Sequence, residues 1–116
     1  MGHYHDLIQD LRQPTRELRD AIPEVWAAFA ELHKHAVADG VLSSKVKELM
    51  ALAIAVHAEC DGCIAYHARA AALRGASVEE AAEAMGVALL MGGGPASVYA
   101  PRALSAFREF AAAQTG

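Results

Sequence analysis

Alanine dominates the apolar residues of this chain, and that bias limits the fold more than any motif does. Alanine is the best helix former, and its small side chain lets helices approach closely. The β-branched and aromatic runs that mark strands are scarce, with aromatics only 6% of 116 residues. An all-α fold is therefore expected. The length suits one domain, residues 1–116. Hydrophobic residues at 54% and charged residues at 21% suit a soluble globular protein rather than a disordered one. A net charge of −4 argues against a broad nucleic-acid footprint. No run reaches the ~18–20 apolar residues of a membrane span. The start, Met1-Gly2-His3-Tyr4-His5-Asp6, has no basic region followed by an apolar run. A cytoplasmic protein is expected. So few large side chains build a small core, and surplus apolar surface then has to be covered by other subunits. A homo-oligomer is the corresponding expectation.

Punctuation along the chain divides the helices. Leu7, Ile8 and Leu11 share a face in a first helix from Tyr4 to Gln13, which Pro14 is expected to stop. Thr15 to Ala21 reads as a short helix or a turn. Pro23 suits the first turn of a helix running to about Asp39, before Gly40. Ser43 or Ser44 caps a helix from about Lys45 to Ala58. Another runs from near Cys63 to Arg74, ahead of Gly75. Ser77 with Glu80 forms a capping-box pattern that opens a helix through Met91. Gly92-Gly93-Gly94-Pro95 breaks it. A last helix spans about Ala96 to Ala113, with Pro101 as a kink or a late start.

Only two cysteines occur, Cys60 and Cys63, too few for a disulfide-rich secreted scaffold. At about 100° per residue, Cys63 falls about 300° and His67 about 340° around a helix from Cys60. The two thiols and the imidazole would share one face, with Cys63 and His67 at i, i+4. Thiol chemistry has a use for that grouping. The thiolate is the nucleophile, and a free thiol is mostly protonated at neutral pH. A helix N-terminus favours the anion, and His67 can take the proton. A second thiol one turn away can convert a sulfenic acid to a disulfide before over-oxidation. A carboxylate could orient His67. Glu48, on the preceding helix within an otherwise apolar stretch, is the prime candidate and Glu59 the rival, and spacing alone does not choose between them.

Blander readings compete. Intracellular cysteines are often inert small hydrophobes, and a histidine on a small-residue helix is often a surface or satisfied core residue. Zinc is the sharper rival: Cys60, Cys63 and His67 are plausible ligands, with Glu48 or His57 as a fourth. Against it, no second Cys-x-x-Cys exists, and His3, His5, His33 and His35 lie far away in sequence. The favoured reading needs no metal and no cofactor.

Glutamate, eleven residues, cysteine, two residues, cysteine, three residues, histidine: Glu48, Cys60, Cys63 and His67 follow this spacing. The set resembles the redox motif of the alkylhydroperoxidase D-like (AhpD-like) branch of the carboxymuconolactone decarboxylase family. The Ser44-to-Glu48 lead-in, the Arg74-Gly75-Ala76-Ser77 turn and the Met91-to-Pro101 stretch also look like the family, so the likeness covers about Leu42 to Phe110. The resemblance favours Glu48 over Glu59. It implies an all-α helical bundle, here a single-unit subunit of a trimer or hexamer, because the longer members carry two related halves. It implies Cys63 as the peroxidatic thiol and Cys60 as the resolving one. Glu48 would accept the thiol proton through His67 and an ordered water. The implied substrate is a small-molecule hydroperoxide, and the implied reductant a dithiol, lipoyl-bearing in the longer members. The decarboxylase branch acts on a lactone carboxylate without a cysteine pair. Such a decarboxylase, or a non-enzymatic helical assembly with a zinc-binding or inert pair, is the alternative. Trp26, Phe29, Met85, Leu89, Met91 and Tyr99 could line an apolar pocket, with core or interface packing as the competing role. Tyr66 could hydrogen-bond near His67. Gly92-Gly93-Gly94 could be a lid or only a helix end, and it lacks a phosphate-cradle pattern.

Overall fold

The computed structural model describes residues 2–115 and is all-α over that range. Helices α1 (His3–Ala21), α2 (Pro23–Val37), α3 (Ser44–His57), α4 (Asp61–Leu73), α5 (Val78–Gly92) and α6 (Gly94–Thr115) follow in order. Serines cap two of them. The Ser43 hydroxyl accepts from the Val46 N–H at 3.2 Å. Ser77 and Glu80 close the expected capping box at 3.0 and 2.9 Å.

Two boundaries set by prolines and glycines depart from expectation. Pro14 does not stop α1, which runs on to Ala21. Proline removes one N–H from the helix interior. Pro14 is exposed, so water can serve the carbonyl left without its donor. Buried Tyr4 and Ile8 tie the first half of α1 to the body, and Glu109 of α6 secures its start. The Glu109 carboxylate accepts from the backbone N–H of His5 at 2.7 Å and of Tyr4 at 3.3 Å. The other departure is α6, which begins at Gly94 and continues through Pro101.

Helix α4 lies at the centre, packed on α3, α6 and α1. Its buried face is Ile64, Ala65, Ala68, Ala71 and Ala72. Ala103, Ala106 and Phe107 of α6 and Leu52 and Val56 of α3 are buried as well. Alanine faces set α4 close to its neighbours, and a few large side chains fill the remaining space. Helix α2 is different. It buries no residue, and Val25, Phe29 and Leu32 stay exposed. It stands off the body and forms one wall of a cleft whose other wall is α3 and α4. Among the described residues, no helix is long and apolar enough to cross a membrane.

Candidate active site

The turn between α3 and α4 builds the site. Glu59 N–H bonds to Val56 O at 3.1 Å, and Cys60 N–H bonds to Ala55 O at 3.2 Å. This is the Schellman pattern, with the residue after the cap in the left-handed region. Glycine usually occupies that position, but here it is Glu59, with φ 53°. Cys60, the next residue, is also the N-cap of α4. Its sulfur accepts from the Cys63 N–H at 3.2 Å. Helix α4 thus begins at Asp61, ahead of the expected start, because the Cys60 sulfur serves as the capping acceptor. Asp61 also faces Arg102 of α6 at 3.4 Å, which ties the start of α4 to the body.

Cys60 and Cys63 are joined as a disulfide across the first turn of α4, with Cα atoms 5.2 Å apart. Cys60 is half-buried. Cys63 is exposed and lines the cleft. One turn further along, His67 Nδ1 lies 2.7 Å from Oε1 of Glu48. Glu48 is 1% exposed, so this carboxylate has left water for a single imidazole partner. An unpaired buried charge costs several kcal/mol, and the short bond to His67 is what makes Glu48 tolerable there. Glu59 points elsewhere, exposed on its turn.

His33 of α2, set aside in sequence as too distant, joins the group. Its ring stacks on that of His67, with centroids 6.0 Å apart and planes inclined by 27°. Local spacing cannot reveal a partner on another helix. A signal was present, because Trp26, Phe29, His33 and Val37 recur at i, i+3 and i+4 along one face of α2. That face lines the cleft.

Ligand atoms of His33, Glu48 and His67 all lie within 4.8 Å of one another. Two imidazoles and a carboxylate suit a divalent first-row metal. Glu48 and His67 of this group bond each other directly at 2.7 Å. The zinc set weighed in sequence fits less well. Both sulfurs are in the disulfide, and the His57 ring lies against Gly92 of α5.

The cleft has a volume of about 840 Å³. Trp26, Phe29 and Tyr66 line it, as does His67. Met85 and Leu89 instead line a smaller recess between α5 and α6, of about 380 Å³. Met91 and Tyr99 line neither, and the Tyr99 ring carries Arg102 at 4.8 Å. The glycine run is a helix junction. A Cβ on Gly92 would meet the Ala96 Cβ at 2.7 Å, so close packing of α5 on α6 explains that glycine.

A bundle of this form, with a Cys-x-x-Cys turn beside a buried glutamate–histidine pair, defines a class of small all-α proteins. The chain belongs to the carboxymuconolactone decarboxylase family, whose model matches residues 23–106. A carboxymuconolactone decarboxylase family protein from Legionella pneumophila, solved in its apo form, superposes with a TM-score of 0.90 at 39% identity, covering 93% of this chain and 96% of that one. A Thermotoga maritima protein superposes at 0.74 with 32% identity, over 86% and 94% of the two chains. An uncharacterized protein of Cupriavidus necator is 41% identical over 100 residues, 86% of this chain and 88% of its own length. An uncharacterized protein from the cox locus of Paracoccus denitrificans is 39% identical over 82 residues, 71% and 74% of the two lengths.

Proposed function

We propose that this protein is a thiol-dependent oxidoreductase of the AhpD-like type that reduces hydroperoxides. The observation that carries the reading is the 2.7 Å bond between buried Glu48 and His67, one helical turn from Cys63 on the wall of the same cleft. In the reduced protein, Cys63 gives its proton to the His67–Glu48 pair. The α4 N-terminus stabilises the thiolate that remains. The thiolate attacks the outer peroxide oxygen, the O–O bond breaks, and the pair returns the proton to the leaving alkoxide. The products are an alcohol and a Cys63 sulfenic acid. The Cys60 thiol displaces hydroxide from that sulfenic sulfur, releasing water and forming the disulfide. An external dithiol, of lipoyl or similar type, reduces the pair and becomes a disulfide itself. Exposed Cys63 is the sulfur it attacks. Cys60 leaves as a thiolate that the Cys63 N–H stabilises, as that N–H already contacts its sulfur.

A reducing cytoplasm suits this cycle. Exposed Val25 and Leu32 on α2, which face away from the cleft lining, with Leu89, Leu90 and Met91 on α5, favour a homo-oligomer, a trimer or hexamer, in which further subunits cover them. The test is dithiol-supported consumption of cumene hydroperoxide. Wild type turns over and Cys63→Ser does not. Turnover that survives Cys63→Ser overturns the nucleophile, and a wild type inert toward every hydroperoxide overturns the reading.

A further inference from the structure

We infer that the cleft takes an amphipathic hydroperoxide whose peroxide lies far from a carboxylate, as in a long-chain fatty-acid hydroperoxide. The inference rests on the proposed peroxidase reading and names its substrate class. Its basis is the distribution of charge. The chain carries a net charge of −4 with only ten lysines and arginines, yet three of those cations, Lys34, Arg69 and Arg74, line this one cleft. Among the described residues, none of the three is ion-paired; the arginine and lysine ion pairs lie elsewhere, at Arg19, Lys45 and Arg102.

Neutral groups hold both arginines in place. The Arg74 Nε donates to the Ser44 hydroxyl at 3.0 Å, and Arg69 sits 5.6 Å over the Tyr66 ring. Their positions are fixed while their charge is left uncompensated, which is how an anion site is prepared in advance. The two carboxylates on the wall are engaged. Glu48 is buried against His67, and the Asp39 Oδ1 accepts from the Ser44 N–H at 2.7 Å.

Length and lining complete the argument. Cys63 and Arg74 are eleven residues apart on and just past α4, about 16 Å at 1.5 Å per residue. The lining also carries apolar Trp26, Phe29 and Leu73. The volume of about 840 Å³ lies within the range of pockets that enclose drug-sized ligands. Hydrogen peroxide would leave this volume empty and could use neither the apolar wall nor the cations. A long apolar chain with a peroxide toward one end and a carboxylate at the other uses all three features.

The experiment compares linoleic acid hydroperoxide, its methyl ester and cumene hydroperoxide, with a small dithiol as reductant and all below micelle-forming concentrations. The acid is expected to exceed its ester in kcat/KM by about tenfold, the discrimination that one charge-assisted hydrogen bond supplies at a partly exposed site. In Arg74→Gln and in Lys34→Gln/Arg74→Gln the acid-to-ester ratio falls toward one. Because the ratio is taken within one variant, loss of folded protein cancels. A second readout needs no turnover. Trp26 is the only tryptophan and lines the cleft, so its fluorescence reports occupancy. Linoleate should shift that emission saturably in the oxidised protein, and methyl linoleate should need about tenfold more. Cumene hydroperoxide turnover with equal use of acid and ester overturns the inference and leaves the peroxidase reading standing. Selective linoleate binding without turnover of any hydroperoxide overturns the peroxidase reading and leaves an acid-chain site. Neither binding nor turnover overturns both.

Discussion

Helix α4 is bounded by two turns of the same hydrogen-bond pattern and different chemistry. At its end, Gly75 N–H bonds to Ala72 O at 3.0 Å and Ala76 N–H bonds to Ala71 O at 3.1 Å, with Gly75 at φ 85°. Ahead of it, the turn closing α3 has the same two bonds, but the left-handed residue is Glu59. Arg74 and its cation stand at the first turn. Cys60, Cys63 and their disulfide stand at the second. A glycine there would be the low-energy solution at both places. The cysteine end instead keeps a side chain on the residue immediately before Cys60. That residue sets where the capping sulfur sits, and a residue with a Cβ has fewer backbone alternatives than glycine. Stiffness was kept where two sulfurs must meet, and ease of turning where one helix only has to end.

The largest predicted effects lie at the cysteine end. Cys63→Ser is expected to lower hydroperoxide turnover by at least about a thousandfold, because no other thiolate faces the cleft. Cys60→Ser keeps the nucleophile and loses its resolving partner. Under peroxide, mass spectrometry should find sulfinic or sulfonic Cys63 in that variant and a disulfide in wild type. An unmodified Cys63 would count against resolution by Cys60. Glu48→Gln comes next. Glutamine can still hydrogen-bond His67 in the same space, so the fold should hold, while the rate of Cys63 oxidation falls by about a hundredfold, as loss of a proton acceptor does. Stopped-flow oxidation of the reduced protein measures it. His33→Ala should cost less, within about tenfold, since His33 only flanks His67 and is exposed. A loss as large as that of Glu48→Gln would make His33 a member of the relay rather than a neighbour.

The contrast between the ends of α4 also marks what could be read from sequence. Cys60, Cys63 and His67 are local, so helical angle alone puts them on one face. Glu48 lies one helix earlier, where its apolar surroundings favour it over Glu59, and the resemblance favours it again. The structure then bonds Glu48 to His67 and turns Glu59 away. His33 was out of reach, because its position depends on how α2 lies over α4 across a cleft. The alanine bias announced helices and did not say which would stand off. Pro14 misled for a related reason. Its local cost is real, but Tyr4, Ile8 and Glu109 anchor the helix ahead of it, and the helix runs on to Ala21. Lys34, Arg69 and Arg74 are spread along the chain, and only the packing of α2 against α4 gathers them on one cleft.

The smallest predicted effects test the turns themselves, with opposite signs at the two ends. Gly75→Ala puts a Cβ on a residue at φ 85°, where nothing lies within 4 Å of the added atom. No clash arises, so the loss is backbone strain alone, about 1 kcal/mol. Glu59→Gly removes such strain but adds freedom to the unfolded chain, worth about 0.4–1 kcal/mol against folding. The two terms nearly cancel, and a net gain under about 0.5 kcal/mol is expected. Chemical denaturation of the reduced proteins measures both without the disulfide interfering. The reading of Glu59 as a stiffener then makes a separate demand. Glu59→Gly should form the Cys60–Cys63 disulfide less readily, with a less favourable equilibrium against a glutathione buffer, although its fold is no weaker. A variant equal to wild type in that equilibrium would show that the side chain at position 59 does nothing for the cysteine pair, and the two turns would then differ only in strain.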